Sequence, residues 1–262
     1  MNGPSFFYRA SRRVRLLLQG RLHSFRVALP LVEGKSGLEI GGPSSVFQEQ
    51  QDLCPIYDRV ESLDNCDISR KTVWATHQDS YIFSERKVPG RNIFCDASDL
   101  SSIADQSYDF VLSSHNLEHL ANPVKALQKW KRVTRPNGGL ILVLPHYCRT
   151  FDHRRAPTPV EHMLEDYASK MGEDDLSHLP EIMELHDLSL DPGAGSAQEF
   201  RERSLNNLSN RCLHHHVFDE NNSRELLARV GIKVLAVEQA APFHIFLLAR
   251  FSSSPITGVQ GS

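Results

Sequence analysis

The run from Tyr108 to His146 constrains the fold more than any other part of this chain. Residues 109 to 114, DFVLSS, read as a short apolar strand. Asn122 and Pro123 open a helix in which Val124, Leu127, Trp130 and Val133 recur at three-residue steps, and Pro136 with Gly138 and Gly139 stops it before the apolar run LILVLP. Two parallel strands joined by a crossover helix are the expectation. Both strands end in polar residues, His115, Asn116, Glu118 and His119 after the first and His146 after the second, where open α/β sheets place their ligands.

The pattern extends in both directions. LEIGGPSSVF is a strand running into the glycine pair Gly41 and Gly42, and Pro43 with two serines suits the first turn of a helix. Residues 59 to 64 read as a second strand, 92 to 96 as a third, and 140 to 144 as the fifth. Periodicity breaks down from 147 to 216, which marks an insertion with helical fragments around PVEHMLEDYASKM and FRERSLNNLSNR. It returns as a helix over 223–229 stopped at Gly231, then strands at 232–237 and 244–251 that are close enough to pair as a hairpin. Alternation of this kind predicts a mostly parallel sheet covered on both faces, with an antiparallel last strand.

With 40 % hydrophobic and 23 % charged residues, 262 residues support one large α/β domain carrying that insertion. The expected division is a basic helical segment over 1–33, a domain over 34–251 with a lid at 147–216, and a flexible tail over 252–262. A net charge of −3 gives no footprint for nucleic acid. Residues 1 to 32 nevertheless hold six arginines and no acid. A solvated helix on the domain edge is the simpler reading; an organelle transit peptide or peripheral membrane contact through residues 8–27 are the others. Five cysteines without a CxxC pair argue against a disulfide framework or zinc knuckle and suit a reducing, cytoplasmic setting, and no apolar run reaches the length of a membrane span. Oligomeric state leaves no mark in the sequence.

Glycine at the end of the first strand lets backbone approach a ligand closely. The GxGxxG dinucleotide fingerprint is absent, because Pro43 and Ser44 stand where a second spaced glycine belongs. Asp64 follows Gly42 by 22 residues, the spacing at which an acid meets ribose hydroxyls, although a turn or N-cap aspartate is an even alternative. Asp96 closes the third strand in the same way, with a carboxylate acceptor and the backbone N–H of Ala97 on one rim.

Three acids at successive strand ends (Glu39, Asp64, Asp96), the glycine turn, and the run YDFVLSSHNLEHLANPVKALQKWKRVTRPNGG together resemble the class I S-adenosylmethionine-dependent methyltransferases. The nearest likeness is to the large methyltransferase group whose fourth strand leads into LEH and whose fifth follows a PGG-like turn. DHRR, EH and HHH also look like an uncharacterised bacterial subgroup, some members of which are associated with glycan biosynthesis. The resemblance covers residues 36 to 146 and, more loosely, 217 to 251. It implies a Rossmann-like α/β fold: a seven-stranded, mostly parallel sheet with one antiparallel strand, helices on both faces, and adenosylmethionine across the strand tips. It further implies that Glu39, Gly41 and Gly42 line the methionine part, Asp64 the ribose, Asp96 and Ala97 the adenine, and Ser113, Ser114 and His115 the face near the sulfonium. GGPS in place of the usual GxGxG is the departure, and it removes the contact of a third glycine.

Methyl transfer to oxygen or nitrogen needs an acceptor placed in line and often a base for its proton. His115, His146 or His153 is the expected base, each weighed against a structural role, with His119 and Glu118 as support or helix anchor. Eight of the thirteen histidines fall between His146 and His216. DHRR, EHMLED and HHH are ligand-rich, but none forms a defined zinc signature such as HExxH, so the stretch reads as a polar lid and no metal is expected. Arg154 and Arg155 read as solvated or ion-paired rather than as an anion clamp. The leading expectation is O-methylation of a small-molecule or glycan acceptor. The alternatives are a nucleotide-sugar or NAD-dependent enzyme, which lacks its fingerprint here, and a non-catalytic interaction protein with this fold; Asp64 does not discriminate between the cofactors, since both carry ribose.

Overall fold

In the computed structural model, which describes residues 23–49 and 53–252, eight strands form one sheet: β1 (Ser36–Ile40), β2 (Ser62–Asp67), β3 (Ser80–Tyr81), β4 (Gly90–Phe94), β5 (Tyr108–Ser114), β6 (Thr134–Pro145), β7 (Ile232–Ala240) and β8 (His244–Phe251). Their order is β3-β4-β2-β1-β5-β6-β8-β7. β4, β2, β1, β5 and β6 run parallel, and β8 is antiparallel to both β6 and β7. Those seven strands are the expected sheet; β3, two residues antiparallel to β4, is an edge addition that the sequence did not announce.

Alternate residues of the central strands point to opposite faces, and both faces are covered, which is why β5 and β6 read as nearly unbroken apolar runs. Val111, Leu140, Leu142 and Leu144 pack under α2 (Pro123–Val133) and α7 (Glu220–Arg229), whereas Phe110, Leu112, Ile141 and Val143 pack under α1 (His23–Val32). α2 begins as its sequence dictates. The Asn122 side chain accepts from Lys125 N at 2.9 Å, and Pro123 occupies a position whose N–H has no helical partner. Trp130 is fully buried and its indole N–H donates to Ala97 O at 3.0 Å, so the crossover helix is locked to the tip of β4. Truncating a tryptophan so placed costs about 3–5 kcal/mol.

Three expectations are corrected. No α-helix lies between β1 and β2 among the described residues, which form single 3-10 turns at Ser45–Phe47 and Tyr57–Arg59 whose aromatics pack directly on the sheet. β2 runs from Ser62 to Asp67, three residues later than its apolar letters suggested, because the buried Asn65 is satisfied within the sheet by Gly42 N (2.8 Å) and Asn92 Oδ1 (2.9 Å). β6 takes in the TRPNGG segment, which pairs with Tyr108 and Phe110 across an irregularity in register.

The insertion contributes α3 (Val160–Ala168), α4 (Leu179–Leu185), α5 (Ala197–Leu205) and α6 (Asn207–Asn210); α3 packs on the main core through Val160 and Met163, while α4 and α5 share a small core of Leu179, Ile182, Ala194, Phe200 and Leu213. Most of the basic segment, with the membrane-surface reading attached to it, and the tail after Ser252 lie outside the described residues. Among the described residues no helix is long and apolar enough to cross a membrane.

Candidate active site

A cavity of about 550 Å³ opens over the carboxyl ends of β1, β2, β4 and β5. It sits where the strand order reverses between β1 and β5, the crevice that an open parallel sheet leaves for a ligand.

Gly41 leaves β1 at φ +73, and a Cβ there would lie 2.8 Å from the Asn116 amide, so both backbone shape and the neighbouring loop exclude a side chain. Gly42 and Pro43 complete that wall of the cavity. Glu39 lies beneath it, fully buried, accepting from the Tyr57 hydroxyl (2.8 Å), the Tyr81 hydroxyl (2.5 Å) and Ser44 N (3.2 Å). Burial pushes its carboxyl up despite those donors. Glu39 thus braces the loop that faces the cavity and is not itself among the lining residues.

Asp64 is misplaced by the three-residue error in β2. It lies inside the strand, bound by Arg91 N (2.8 Å), Arg91 Nη2 (2.7 Å) and the Tyr108 hydroxyl (2.9 Å), and does not line the cavity. Asp67 ends the strand instead. It lines the cavity with one oxygen 2.7 Å from Ile68 N and the other 2.9 Å from His77 Nε2, and burial raises its carboxyl against the pull of His77. The motif LDNCD contained both acids, and only the register of β2 against β1 tells them apart.

Asp96 and Ala97 line the cavity at the tip of β4. Asp96 is held by Ser98 N at 2.7 Å and by Arg211 at 2.9 Å, and Arg211 continues to Glu173 at 2.8 Å. A residue of the insertion thereby closes on a strand tip, a contact no local motif could signal.

Ser113 and Ser114 remain within β5, buried and away from the lining. His115, the next residue, turns into the cavity with φ +53 and bonds His244 Nδ1 through Nε2 at 2.8 Å. Burial, with His244 and His214 adding to it, pushes its imidazole down to about 3. His146 and His153 do not reach the cavity. His146 pairs with Glu220 at the start of α7 (3.1 Å), and His153 shares Asp187 with Arg154 on the surface (2.9 and 2.8 Å). Both are expected near the strand tips, but Glu220 takes up His146 and Asp187 takes up His153. Arg154 is ion-paired as expected, and Arg155 is buried against Asp152 (3.0 Å).

The residues that fill the far wall are Glu118, His119, His214, Trp74 and Phe151. Glu118 is 1 % exposed, and no described residue hydrogen-bonds to either carboxylate oxygen. The nearest ring nitrogen of His115 is 3.7 Å away. Burial drives its carboxyl up to about 7 although His214 opposes it. His119 Nδ1 lies 3.1 Å from Leu213 O, and His214 Nδ1 lies 2.6 Å from Asp152 Oδ2. Burial would lower His214, but the Asp152 carboxylate outweighs it and holds the imidazole above its ordinary value. Trp74 packs edge-on against His119 at 5.2 Å, and Phe151 lies 4.8 Å from His214.

Among the described residues two groups bring metal-ligating atoms within 4.8 Å of one another: Glu118, His119 and His214 in this wall, and His162, Asp166 and His178 in the insertion. In the first, Asp152 holds Nδ1 of His214 at 2.6 Å, which leaves Nε2 as its remaining ring nitrogen.

Residues 50–142 match the family model described as Methyltransferase domain. No curated protein matches this chain. Among solved structures it is similar to the CurJ carbon methyltransferase at 13% identity, covering 84% of this chain and 49% of that one with a TM-score of 0.43, so it spans about half that protein's length. It is also similar to a SAM dependent methyltransferase from Aquifex aeolicus (15% identity, 96% of this chain, 100% of that one, TM-score 0.42) and to the N-methyltransferase NodS from Bradyrhizobium japonicum WM9 (12% identity, 95% and 99%, TM-score 0.47).

Proposed function

We propose that this chain, a class I S-adenosylmethionine-dependent methyltransferase, methylates a hydroxyl of a small polar acceptor, a sugar or glycan unit, and that Glu118 takes the acceptor's proton. The carrying observation is Glu118 itself: a carboxylate buried to 1 % exposure and bonded to nothing, at the wall of a cavity in a protein that otherwise pairs its strand-tip acids. An unpaired buried carboxylate costs stability, so its persistence is accounted for by a partner that arrives with the substrate.

The cavity fits the cofactor. The glycine cradle at Gly41 and Gly42 admits the backbone-close methionine part, Asp67 is the acid for the ribose hydroxyls, and Asp96 with the backbone at Ala97 takes the adenine edge. When bound, adenosylmethionine supplies an electrophilic methyl group on a sulfonium. The chain's own work is to place the acceptor and manage its proton. Asp152 favours the protonated form of His214, a donor to acceptor oxygens, while His119, whose Nδ1–H goes to Leu213 O, presents Nε2 as an acceptor for a hydroxyl. Trp74 and Phe151 offer ring faces to the apolar face of a sugar. Glu118 is raised to about 7, where a general base works best, whereas His115 at about 3 holds a proton too weakly. Residues 147–216 act as the cap that delivers Arg211 and His214.

The test is a pair of measurements. Calorimetry should show binding of adenosylhomocysteine by the wild type and by Glu118→Gln alike. Incubation of a panel of sugars and glycans with methyl-labelled cofactor should label a hydroxyl with the wild type and not with the variant. Labelling only of amines or carbon acids would overturn the acceptor, and equal labelling by the variant would remove Glu118 as the base.

A further inference from the structure

A second cluster, in the insertion, has no part in methyl transfer. His162 and Asp166 lie four residues apart on α3, so both side chains leave the same face of the helix, and His178, directly before α4, comes to meet them. His162 Nε2 is 3.1 Å from His178 Nε2 and 3.6 Å from Asp166 Oδ2. Asp166 is 4 % exposed, and its Oδ2 accepts no hydrogen bond.

A hydrogen bond between the two imidazoles explains the first distance and nothing else. It leaves a buried carboxylate oxygen stranded, which costs on the order of 1–3 kcal/mol or more. A cation among the three groups accounts for both facts. A tetrahedral zinc ion with bonds near 2.0–2.1 Å sets its ligand atoms about 3.3 Å apart, and the distances of 3.1 and 3.6 Å fall on either side of that.

We propose that His162, Asp166 and His178 bind one divalent transition-metal ion, of the zinc class, that holds the insertion together. Two imidazoles and one carboxylate suit zinc; magnesium and calcium call for oxygen ligands throughout. The surroundings fit a structural task. His216 Nε2 lies 3.6 Å from Asp166 Oδ2, and the Asn122 side chain donates to Asp166 O at 3.1 Å, so the ion's carboxylate sits between the cap of α2 and the segment that carries His214 into the cavity. The spacing HxxxD followed by a distant histidine matches no short zinc signature, and folding alone brings the third ligand in.

Metal analysis of protein purified without a histidine tag from zinc-supplemented medium tests this independently of any methyl transfer. About one equivalent of zinc is expected in the wild type and in Glu118→Gln, and at least a hundredfold weaker binding in His162→Ala and His178→Ala. If those variants do not fold, cobalt titration of chelator-treated wild type decides: tetrahedral ligand-field bands support the site. No bands and no heat of zinc binding would overturn it. So would zinc lost in Glu118→Gln but kept in His178→Ala, which would move the ion to the cavity wall.

Discussion

The two walls of the cavity are built on opposite plans. On the strand-tip wall every acid already has a partner: Asp67 faces His77, and Asp96 is tied to Arg211. On the far wall Glu118 has none, while the histidines around it are oriented from behind by Asp152 and the Leu213 carbonyl. The first plan preorganises a surface for a ligand whose contacts are hydrogen bonds. The second keeps one group unsatisfied and its neighbours fixed, which is what a proton transfer requires.

The largest expected effect strikes the open group. Glu118→Gln should lower kcat about 10²–10⁴-fold with cofactor affinity retained. The wild-type rate should rise with pH through about 7, because below that the carboxyl is protonated and cannot take a proton. The same shift carries a stability signature. A carboxyl raised in the folded state contributes its full stability below its ordinary value and loses it as pH rises through about 7. Glu118→Gln should therefore be more stable than the wild type at pH 8 by thermal unfolding. A variant that is both inactive and destabilised there would make Glu118 a structural residue.

Asp67→Ala comes next, with adenosylhomocysteine affinity falling about tenfold to a hundredfold, the worth of one or two charge-assisted hydrogen bonds. Asp152→Asn should be milder and should act on the other wall. His214 loses the carboxylate that orients it and favours its protonated form, so KM for the acceptor rises about fivefold to tenfold while cofactor affinity holds. An equal loss of cofactor affinity in Asp152→Asn would erase the division between the walls.

The walls also differ in how far they could be read in advance. The sheet, its crossover helix and the glycine turn follow from apolar period and turn residues that act locally, and Asn122, Pro123 and Trp130 do in the structure what their positions predict. Asp67 was hidden because β2 is lengthened by Asn65, whose polar side chain is satisfied only through Gly42 and Asn92 on neighbouring segments. His214 and Arg211 were harder still. Both come from an insertion whose small core, around Leu179, Phe200 and Leu213, has no periodic signature, and their partners Asp152 and Asp96 are 62 and 115 residues away. Conversely, His146 and His153 had the right residue type near the right strand end and were turned aside by Glu220 and Asp187.

The sharpest test of the strand-tip wall is the substitution expected to leave binding untouched. Asp64 and Asp67 are both acids of the same strand, three residues apart, so they are separated by about 10 Å along the chain. Asp64 accepts from Arg91 and Tyr108, and those donors hold its carboxyl below the ordinary range although burial works the other way. Its energy is therefore spent on the fold, fastening β2 to β4 and β5. Arg91 is largely exposed, so its ion pair is worth little, and the part-buried bond is the one from the Tyr108 hydroxyl. Asp64→Ala should cost about 1–2 kcal/mol in unfolding experiments and leave adenosylhomocysteine affinity at the wild-type value. A loss of affinity matching that of Asp67→Ala would return the ribose to Asp64 and shift β2 by three residues.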